Sequence, residues 1–222
     1  AQRTGRALHD VRLSKQQFPI GSGKPRSGHR LLTMGTDCAI GKKYTALAIH
    51  RELVKRGVPA DFRATGQTGV LIDGRGFAID AVVSDFVAGA VETLAPAAAP
   101  DHWDIIEGQG SLVHPAFAGV TLGLLHGAQP DAFVVCHEPG RNELSAFPGF
   151  PTAGIGELIN MTIMLGRTVA PRIRCVGLSI NTSRMDETAA RAELDFLSRM
   201  HKVPAVDPVR FGVEELVDRM LE

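Results

Sequence analysis

The run Gly-Thr-Asp-Cys-Ala-Ile-Gly-Lys-Lys, from Gly35 to Lys43, contains the residue types that bind phosphate groups. Glycine lets backbone N–H groups approach phosphate oxygens closely, and the N–H groups that begin a helix carry partial positive charge. Lys42 follows the second glycine directly and adds a full charge. The predicted phosphate-binding loop consists of Gly35, Thr36, Asp37, Cys38, Ala39, Ile40, Gly41, Lys42 and Lys43.

The spacing of this loop departs from the G-x4-G-K-[ST] pattern of Mg-nucleotide sites. Five residues separate Gly35 from Gly41, and Lys43 occupies the position where a hydroxyl would bind Mg²⁺. Thr45 does not replace that hydroxyl, because two helical steps rotate it by about 200°. One metal ligand is therefore missing, although Asp37 and Glu107 could still hold a metal ion through water.

Other polar residues follow predicted strands and are candidates for acid–base chemistry or ligand recognition. Glu107 follows two isoleucines, and there it could accept a proton, hold a metal-bound water or cap a turn. His114 and His137 titrate near neutral pH, and either could instead be structural. Asn181 could recognise a purine edge or simply form a turn.

Alternating strands and helices must position these groups. Apolar runs predict strands at 31–34, 60–65, 104–107, 131–136, 174–181 and 203–207, with a glycine-rich turn at 65–69. Apolar residues at helical spacing predict helices from residue 42, over 83–94, over 152–167, after a capping pair at Ser183 and Asp186, and over 213–221. This alternation predicts an α/β fold whose mainly parallel sheet has helices on both faces. In such folds ligands bind at the C-terminal ends of the strands.

The composition is that of an ordinary globular protein. The chain has 222 residues, enough for one large domain with a sizeable core. Its formal net charge is zero, which argues against a nucleic-acid partner, and no apolar run is long enough to span a membrane. The unpaired spacing of Cys38, Cys136 and Cys175 predicts reduced thiols in a cytoplasmic protein.

Residues 1–29 are predicted to form a basic linker or arm ahead of an α/β domain over 30–222. They contain one acid, Asp10, and no long apolar period. Contact between this arm and a ligand phosphate is an open alternative. Because the chain does not begin with Met, we also expect that an upstream segment has been removed. The basic residues are Arg3, Arg6, Arg12, Lys15, Lys24 and Arg26.

Several motifs together resemble the C-terminal P-loop domain of the DUF1611 family, over about residues 31–222. They are specific as a set. The motifs are the loop described above, Ala64-Thr-Gly-Gln-Thr-Gly, Ile106-Glu-Gly-Gln-Gly-Ser-Leu, His137-Glu-Pro and Ile180-Asn-Thr.

This resemblance implies a P-loop NTPase-like three-layer sandwich, distantly similar to dethiobiotin synthetase, an ATP- and Mg²⁺-dependent ligase. Family members usually carry an N-terminal Rossmann-like domain. We expect it to lie outside this chain, and residues 1–29 resemble the join to it. The family includes D-glutamate N-acetyltransferases, which transfer acetyl from acetyl-CoA to the amine of D-glutamate. Older descriptions name some members as NAD-dependent epimerases or dehydratases.

The activity implied by the resemblance is acetyl transfer from the cosubstrate acetyl-CoA to an acidic amino acid, with D-glutamate as the expected acceptor and no bound metal ion. Two adjacent lysines suit CoA, which has a pyrophosphate and a 3′-phosphate and needs no metal for acyl transfer. An ATP/Mg-dependent ligase or kinase is one alternative, and a nucleotide-binding module without catalysis is another. A homo-oligomer is also expected.

Acetyl transfer to an amine requires a base and donors for the carbonyl oxygen. We predict Glu107 or His114 as the base, with His137 and Asp37 as the next candidates, and N–H donors in the turn 108–111. Arginine suits the carboxylates of the acceptor. The predicted acceptor ligands are Arg63, Thr65, Gln67 and Arg141, with Arg184 as a further clamp, and the predicted cofactor contacts outside the loop are Asn181 and Pro208.

Overall fold

One parallel sheet organises the fold. The computed structural model describes residues 2–7, 10–12 and 16–222. The sheet has six strands in the order β2-β3-β1-β4-β5-β6, and each neighbouring pair is parallel. The strands are β1 His29–Gly35, β2 Ala60–Arg63, β3 Trp103–Ile106, β4 Ala132–His137, β5 Arg174–Ile180 and β6 Ala205–Val206.

Helices cover both faces of the sheet. They are α1 Lys42–Lys55, α2 Gln67–Asp73, α3 Val87–Leu94, α4 Ala118–Ala128, α5 Ile155–Gly166, α6 Glu187–His201 and α7 Glu214–Leu221. Short 3-10 turns occur at Gln2–Thr4, Ile79–Ala81 and Ser84–Phe86. No helix in the described ranges has the length and apolar character needed to cross a bilayer.

Two cores follow from the alternation of side chains along each strand. Leu31 packs in a cluster with residues of α1 and α7. Leu32, the next residue, packs in a second cluster with residues of α3, α4, α5 and α6. The predicted three-layer α/β fold is therefore confirmed, and β1 lies at its centre with the loop 36–41 at its C-terminal end.

Two helices are absent from the sequence predictions. The segment 65–69, predicted as a turn, contains the start of α2, and α4 was not predicted at all. Glycine lowers helix propensity, but in α4 it allows close packing on α3. A Cβ at Gly123 would lie 2.6 Å from Val87 Cγ1, and one at Gly127 would overlap the carbonyl of Ala88.

The start of α6 also differs from the prediction of a Ser183/Asp186 pair. Asp186 is itself the N-cap and accepts a hydrogen bond from Ala189 N at 2.8 Å. Ser183 lies outside the helix, where its N–H donates to Asn181 Oδ1 at 3.2 Å. One side chain therefore caps the helix rather than two.

Residues 16–28 lie against α3 and α4. Arg26 donates to the carbonyls of Glu92 and Ala95 near the end of α3 and to those of Gly127 and Ala128 at the end of α4. Glu92 in turn accepts the backbone N–H groups of residues 22 and 23. This part of the predicted arm is bound to the domain surface, whereas Lys15 lies outside the described residues. The division into an arm and a domain at residue 30 stays a prediction.

Candidate functional site

The loop after β1 presents a series of backbone N–H groups. Ala39 (φ 53°) and Gly41 (φ 112°) are in the left-handed region, a backbone pattern that turns successive N–H groups toward one side. The first backbone hydrogen bond into α1 is Thr45 N to Gly41 O at 2.9 Å. Within the described residues, no N–H from Ala39 to Tyr44 donates to another protein group. The loop and the start of α1 therefore form a surface suited to an anion, which we call the anion-binding surface.

Lys42 lies beneath this surface, 6% exposed. Its Nζ donates to the carbonyl of Asp37 at 2.6 Å. Burial lowers the pKa of Lys42, while the neighbouring cysteines and Asp37 oppose that shift. The absence of a side chain at Gly35 makes room for the ammonium, since a Cβ there would be 3.1 Å from Nζ. An anion on the loop would lie next to this charge.

Asp37 is tied to the β4–α5 loop. Its Oδ2 accepts from Arg141 at 3.0 Å and from Ser145 N at 2.8 Å, and its Oδ1 accepts from Cys38 N at 2.6 Å. Arg141 also donates to the Cys38 carbonyl and to Glu138. These contacts occupy the Asp37 carboxylate and both terminal nitrogens of Arg141. The geometry therefore disfavours the predicted roles of Asp37 as a base and Arg141 as an acceptor ligand.

Glu107 follows β3 and lies at the start of α2. Its Oε2 accepts from Thr65 N at 3.1 Å and Gly66 N at 3.2 Å, and the Thr65 hydroxyl donates to its backbone carbonyl. A Cβ at Gly69 would overlap Oε2. Burial raises the pKa of Glu107, whereas the two N–H donors and the Lys43 ammonium act in the opposite direction. A carboxylate with a raised pKa is suited to accept a proton near neutral pH.

A cavity of about 540 Å³ brings the loop and Glu107 together. We call it the loop cavity. Residues 38–44 form one wall, and the start of α2 with the segment 107–110 forms the other. Gln67 lies in its lining, as predicted for a ligand-binding residue, while Thr65 is buried behind Glu107 and supports it.

A second cavity of about 280 Å³ lies beyond β5 and β6. We call it the β5–β6 cavity. It shares Ile40, Gly41 and Tyr44 with the loop cavity, and its lining is mainly apolar. Asn181 and Pro208, both predicted as cofactor contacts, line it. The two cavities thus meet at the anion-binding surface.

His114 is completely buried beside the loop. Its ring stacks on Phe117 with centroids 4.4 Å apart and meets the edge of Phe147 at 4.7 Å. Nδ1 accepts from Ala116 N at 3.2 Å, whereas Nε2 has no hydrogen-bond partner among the described residues. A ring nitrogen of His114, the Cys38 thiol and an Asp37 carboxylate oxygen all lie within 4.8 Å of one another.

The remaining predicted residues lie outside both cavities. Nδ1 of His137 is 3.0 Å from the Thr36 hydroxyl, and burial lowers the pKa of this imidazole. Arg63 pairs with Asp104 at 2.7 Å and Asp61 at 3.0 Å. The Arg184 side chain is 77% exposed and contacts Glu138. The structure does not bring these groups to the loop cavity.

Sequence reasoning missed several residues that form the two cavities. Gln109 donates to the Thr65 hydroxyl at 3.2 Å and faces Gly66, so it helps to fix Glu107. Tyr44 lies between the cavities with Lys43 Nζ 5.0 Å from its ring centroid. The signal for Gln109 was its position two residues after a strand-end acid, whereas Tyr44 had only the pattern of a buried helix residue.

Comparison with known proteins gives results at two levels. A DUF1611 family profile, described as a P-loop domain of unknown function, matches residues 19–217, so the match includes the last part of the arm. A crystal structure of a DUF1611 family protein from Anabaena variabilis is 36% identical with a TM-score of 0.91, covering 98% of this chain and 64% of that one. A nucleotide-binding protein from Archaeoglobus fulgidus in complex with ADP gives a TM-score of 0.54 over 88% of this chain and 89% of its own, and at 14% identity it shows the fold alone.

Two relatives carry the name D-glutamate N-acetyltransferase. The protein from Tritonibacter scottomollicae is 47% identical over 220 residues, which is 99% of this chain and 66% of the relative. The protein from Pseudoalteromonas sp is 46% identical over 217 residues, 98% of this chain and 65% of the relative. The chain thus spans just under two thirds of the length of these relatives. From the profile match and these identities, the chain belongs to the DUF1611 family and comprises its P-loop domain.

Proposed function

We propose that this chain is the CoA-binding P-loop part of an N-acetyltransferase that transfers acetyl from acetyl-CoA to the amine of D-glutamate. One observation carries the proposal. The loop cavity and the β5–β6 cavity meet at a surface of unpaired N–H donors, and Glu107 lines the loop cavity. The names of the two relatives support the choice of reaction and acceptor.

The shape and chemistry of the cavities suit CoA. The β5–β6 cavity, with its apolar lining and the Asn181 amide, fits an adenine ring. The loop N–H groups and Lys42 suit the pyrophosphate. The thioester end would then enter the loop cavity next to Glu107. Lys43, which lines the same cavity, is a candidate for the 3′-phosphate or an acceptor carboxylate.

Glu107 is the proposed base for the amine. A free amino acid carries an ammonium at neutral pH and becomes a nucleophile only after losing a proton. One ammonium proton passes to a Glu107 oxygen and the amine attacks the thioester carbonyl. The carbon–sulfur bond then breaks, and the departing thiolate takes a second proton from the nitrogen. Negative charge on the carbonyl oxygen is stabilised by N–H groups of the turn 108–111, beside Glu107 in the loop cavity.

An Mg-ATP reaction fits the loop less well. The residue after Lys42 is Lys43, and the next hydroxyl, that of Thr45, is buried on the other side of α1. It hydrogen-bonds Gly41 O at 3.0 Å and Ser179 Oγ at 2.7 Å. A hydroxyl that ordinarily binds Mg²⁺ is therefore not available at the loop. A binding module without catalysis would not require a buried acid with a raised pKa in the ligand cavity.

The test is binding followed by turnover. Isothermal titration should show binding of CoA and acetyl-CoA that EDTA does not change, and weaker binding of ATP. Chiral chromatography with mass detection should then show N-acetyl-D-glutamate from acetyl-CoA and D-glutamate, with L-glutamate as the matched control acceptor. ATP binding that strictly requires Mg²⁺, with no affinity for CoA, would contradict the proposal.

A further inference from the structure

We propose that Cys38 accepts the acetyl group from acetyl-CoA and passes it to the amine, so that transfer proceeds through an acetyl-thioester on the loop. This inference rests on the proposed function and goes beyond it by naming a covalent carrier. Cys38 lies in the phosphate-binding loop, is half-buried and lines the loop cavity.

A second group, the imidazole of His114, lies near the same sulfur. His114 is fully buried, its Nε2 has no partner in the described part of the chain, and one of its ring nitrogens lies within 4.8 Å of Cys38 Sγ. Because Nδ1 accepts the Ala116 N–H, the neutral ring carries its proton on Nε2. His114 is therefore a buried hydrogen-bond donor without a partner beside Cys38, and we assign the Cys38 thiolate that forms during the exchange as its acceptor.

The surrounding charges disfavour a metal ion at this cluster. A thiol, an imidazole and a carboxylate within 4.8 Å could in principle bind a soft cation. Two cations already face these groups, however, since Lys42 donates to Asp37 O and Arg141 donates to both Asp37 Oδ2 and Cys38 O. The start of α1 adds further positive potential.

These charges act against the cost of burying a thiolate. Burial raises the pKa of Cys38, and Asp37 raises it further, whereas Lys42 and Arg141 lower it. The exchange itself also reduces this cost, because the proton of the Cys38 thiol is transferred to the CoA sulfur and no thiolate remains buried. The reaction therefore needs no net proton acceptor in its first step.

The chemistry balances in two steps. In the first, Cys38 Sγ bonds to the acetyl carbon, the bond from that carbon to the CoA sulfur breaks, and the proton of Cys38 ends on CoA. In the second, the amine bonds to the acetyl carbon, the Cys38–acetyl bond breaks, and one proton of the ammonium passes to Glu107 and another returns to the thiolate through solvent or Glu107. No oxidant, metal or further reactant is consumed.

Aromatic side chains limit the access of water to the proposed acetyl-thioester. Phe117 and Phe147 enclose His114, and the loop that contains Phe147 is fixed to the phosphate-binding loop through Ser145 N and Asp37. This arrangement limits water on the His114 side of Cys38.

The test is intact-mass spectrometry of the chain after mixing with acetyl-CoA in the absence of any amine, with an acid quench. We expect one added acetyl group on the wild-type chain, mapped to Cys38 by peptide analysis and removed by neutral hydroxylamine. Cys38→Ala should show no adduct. Cys175→Ala, at the N-terminal end of β5 and away from both cavities, should keep it.

The outcomes separate the two proposals. Absence of an adduct on the wild-type chain, or turnover by Cys38→Ala at the wild-type rate, would overturn the carrier role even if N-acetyl-D-glutamate forms. An adduct on Cys38 without any D-glutamate product would support the carrier role and contradict the proposed acceptor.

Two variants test the donor role of His114. In His114→Asn the amide oxygen can still accept from Ala116 N, but the Nε2 donor is lost, whereas His114→Gln keeps a donor near the Nε2 position. We expect acetylation of Cys38 to slow by about tenfold to a hundredfold in the Asn variant, the equivalent of a hydrogen bond to a charged group. The Gln variant should recover part of the rate. Equal rates in all three proteins would contradict the donor role.

Discussion

Two clusters of the molecule combine acids, an imidazole and cations, yet only one has the properties of a site. The loop cluster contains Asp37, Cys38, Lys42, His114 and Arg141, and the edge cluster on β2 and β3 contains Asp61, Arg63, Arg75, His102 and Asp104. In each, an acid and a histidine lie within 4.8 Å of each other.

The clusters differ in how completely their polar groups are paired. In the edge cluster Arg63 bridges Asp61 and Asp104, and His102 Nε2 is 3.3 Å from Asp104. In the loop cluster His114 Nε2 has no partner, and the adjacent backbone N–H groups donate to no described residue. Residue types alone do not separate a binding site from a structural ion-pair network. What distinguishes the binding site is the presence of polar groups that lack hydrogen-bond partners and lie next to a cavity.

The largest expected effect on rate is from Glu107→Gln. The amide oxygen can still accept from Thr65 N and Gly66 N, but the side chain can no longer take a proton. Acetyl transfer should fall by roughly 10²–10⁴, measured by steady-state kinetics, while titrated CoA affinity stays close to wild type. The matched control in the edge cluster is Asp104→Asn, for which the rate per folded molecule should be unchanged. Near-normal turnover of Glu107→Gln would exclude it as the base.

The next effect concerns stability rather than activity. Arg63→Met leaves Asp104, which is 1% exposed, without its main cation. Removing one partner of a buried ion pair costs about 3–5 kcal/mol, so urea unfolding should show a loss of that order with an unchanged KM for D-glutamate. The double variant Arg63→Met/Asp104→Leu should regain much of the stability. A raised KM with unchanged stability would instead support the predicted role of Arg63 as a ligand of the acceptor carboxylates.

Loss of a loop cation should affect binding to a smaller degree. Lys42→Ala removes the buried ammonium beside the N–H groups. CoA affinity should weaken by about 1.5–3 kcal/mol, the range of a hydrogen bond to a charged group, as measured by calorimetric titration. Lys24→Ala in the arm is the control, and it also tests whether the arm contacts a ligand phosphate. Equal affinities of wild type and Lys42→Ala would contradict the placement of the pyrophosphate.

The smallest effect is a pH dependence of stability that originates at Glu107. Because burial raises its pKa in the folded chain, the protonated acid is favoured there. Its contribution to stability is complete below the unfolded pKa of about 4.3 and is lost as pH rises through the folded pKa. Glu107→Gln lacks this loss, so its unfolding free energy relative to wild type should increase between acid and neutral pH. An unchanged difference across that range would show that Glu107 has no raised pKa.

The sequence predicted well what depends on neighbouring residues. The loop 35–43 was identified because strand, glycines, lysine and helix follow each other directly. The alternation of predicted strands and helices along the chain indicated a sheet with helices on both faces. Helix α4 escaped prediction because its glycines disfavour a helix locally, while their packing against α3 is a tertiary effect.

Side-chain direction and pairing could not be predicted in the same way. Arg63 ends β2, but its side chain turns to Asp61 and Asp104, acids that the sequence places two and 41 positions away. Arg141 is likewise engaged by Asp37, which lies 104 positions earlier. No sequence pattern indicated that His114 would be buried beside Cys38 with one nitrogen unpaired, because that depends on Phe117 and the distant Phe147.

The contacts of Arg26 have a consequence for cooperativity. Its guanidinium donates hydrogen bonds to four backbone carbonyls, those of Glu92, Ala95, Gly127 and Ala128. Opening of the segment around Arg26 therefore exposes the ends of α3 and α4 at the same moment, and the three pieces unfold as one unit. Together with α5 and α6, these two helices cover the face of the sheet opposite α1. The segment before β1 is thus part of the same cooperative unit as the sheet's helical cover, and its removal would loosen that cover rather than simply shorten the chain.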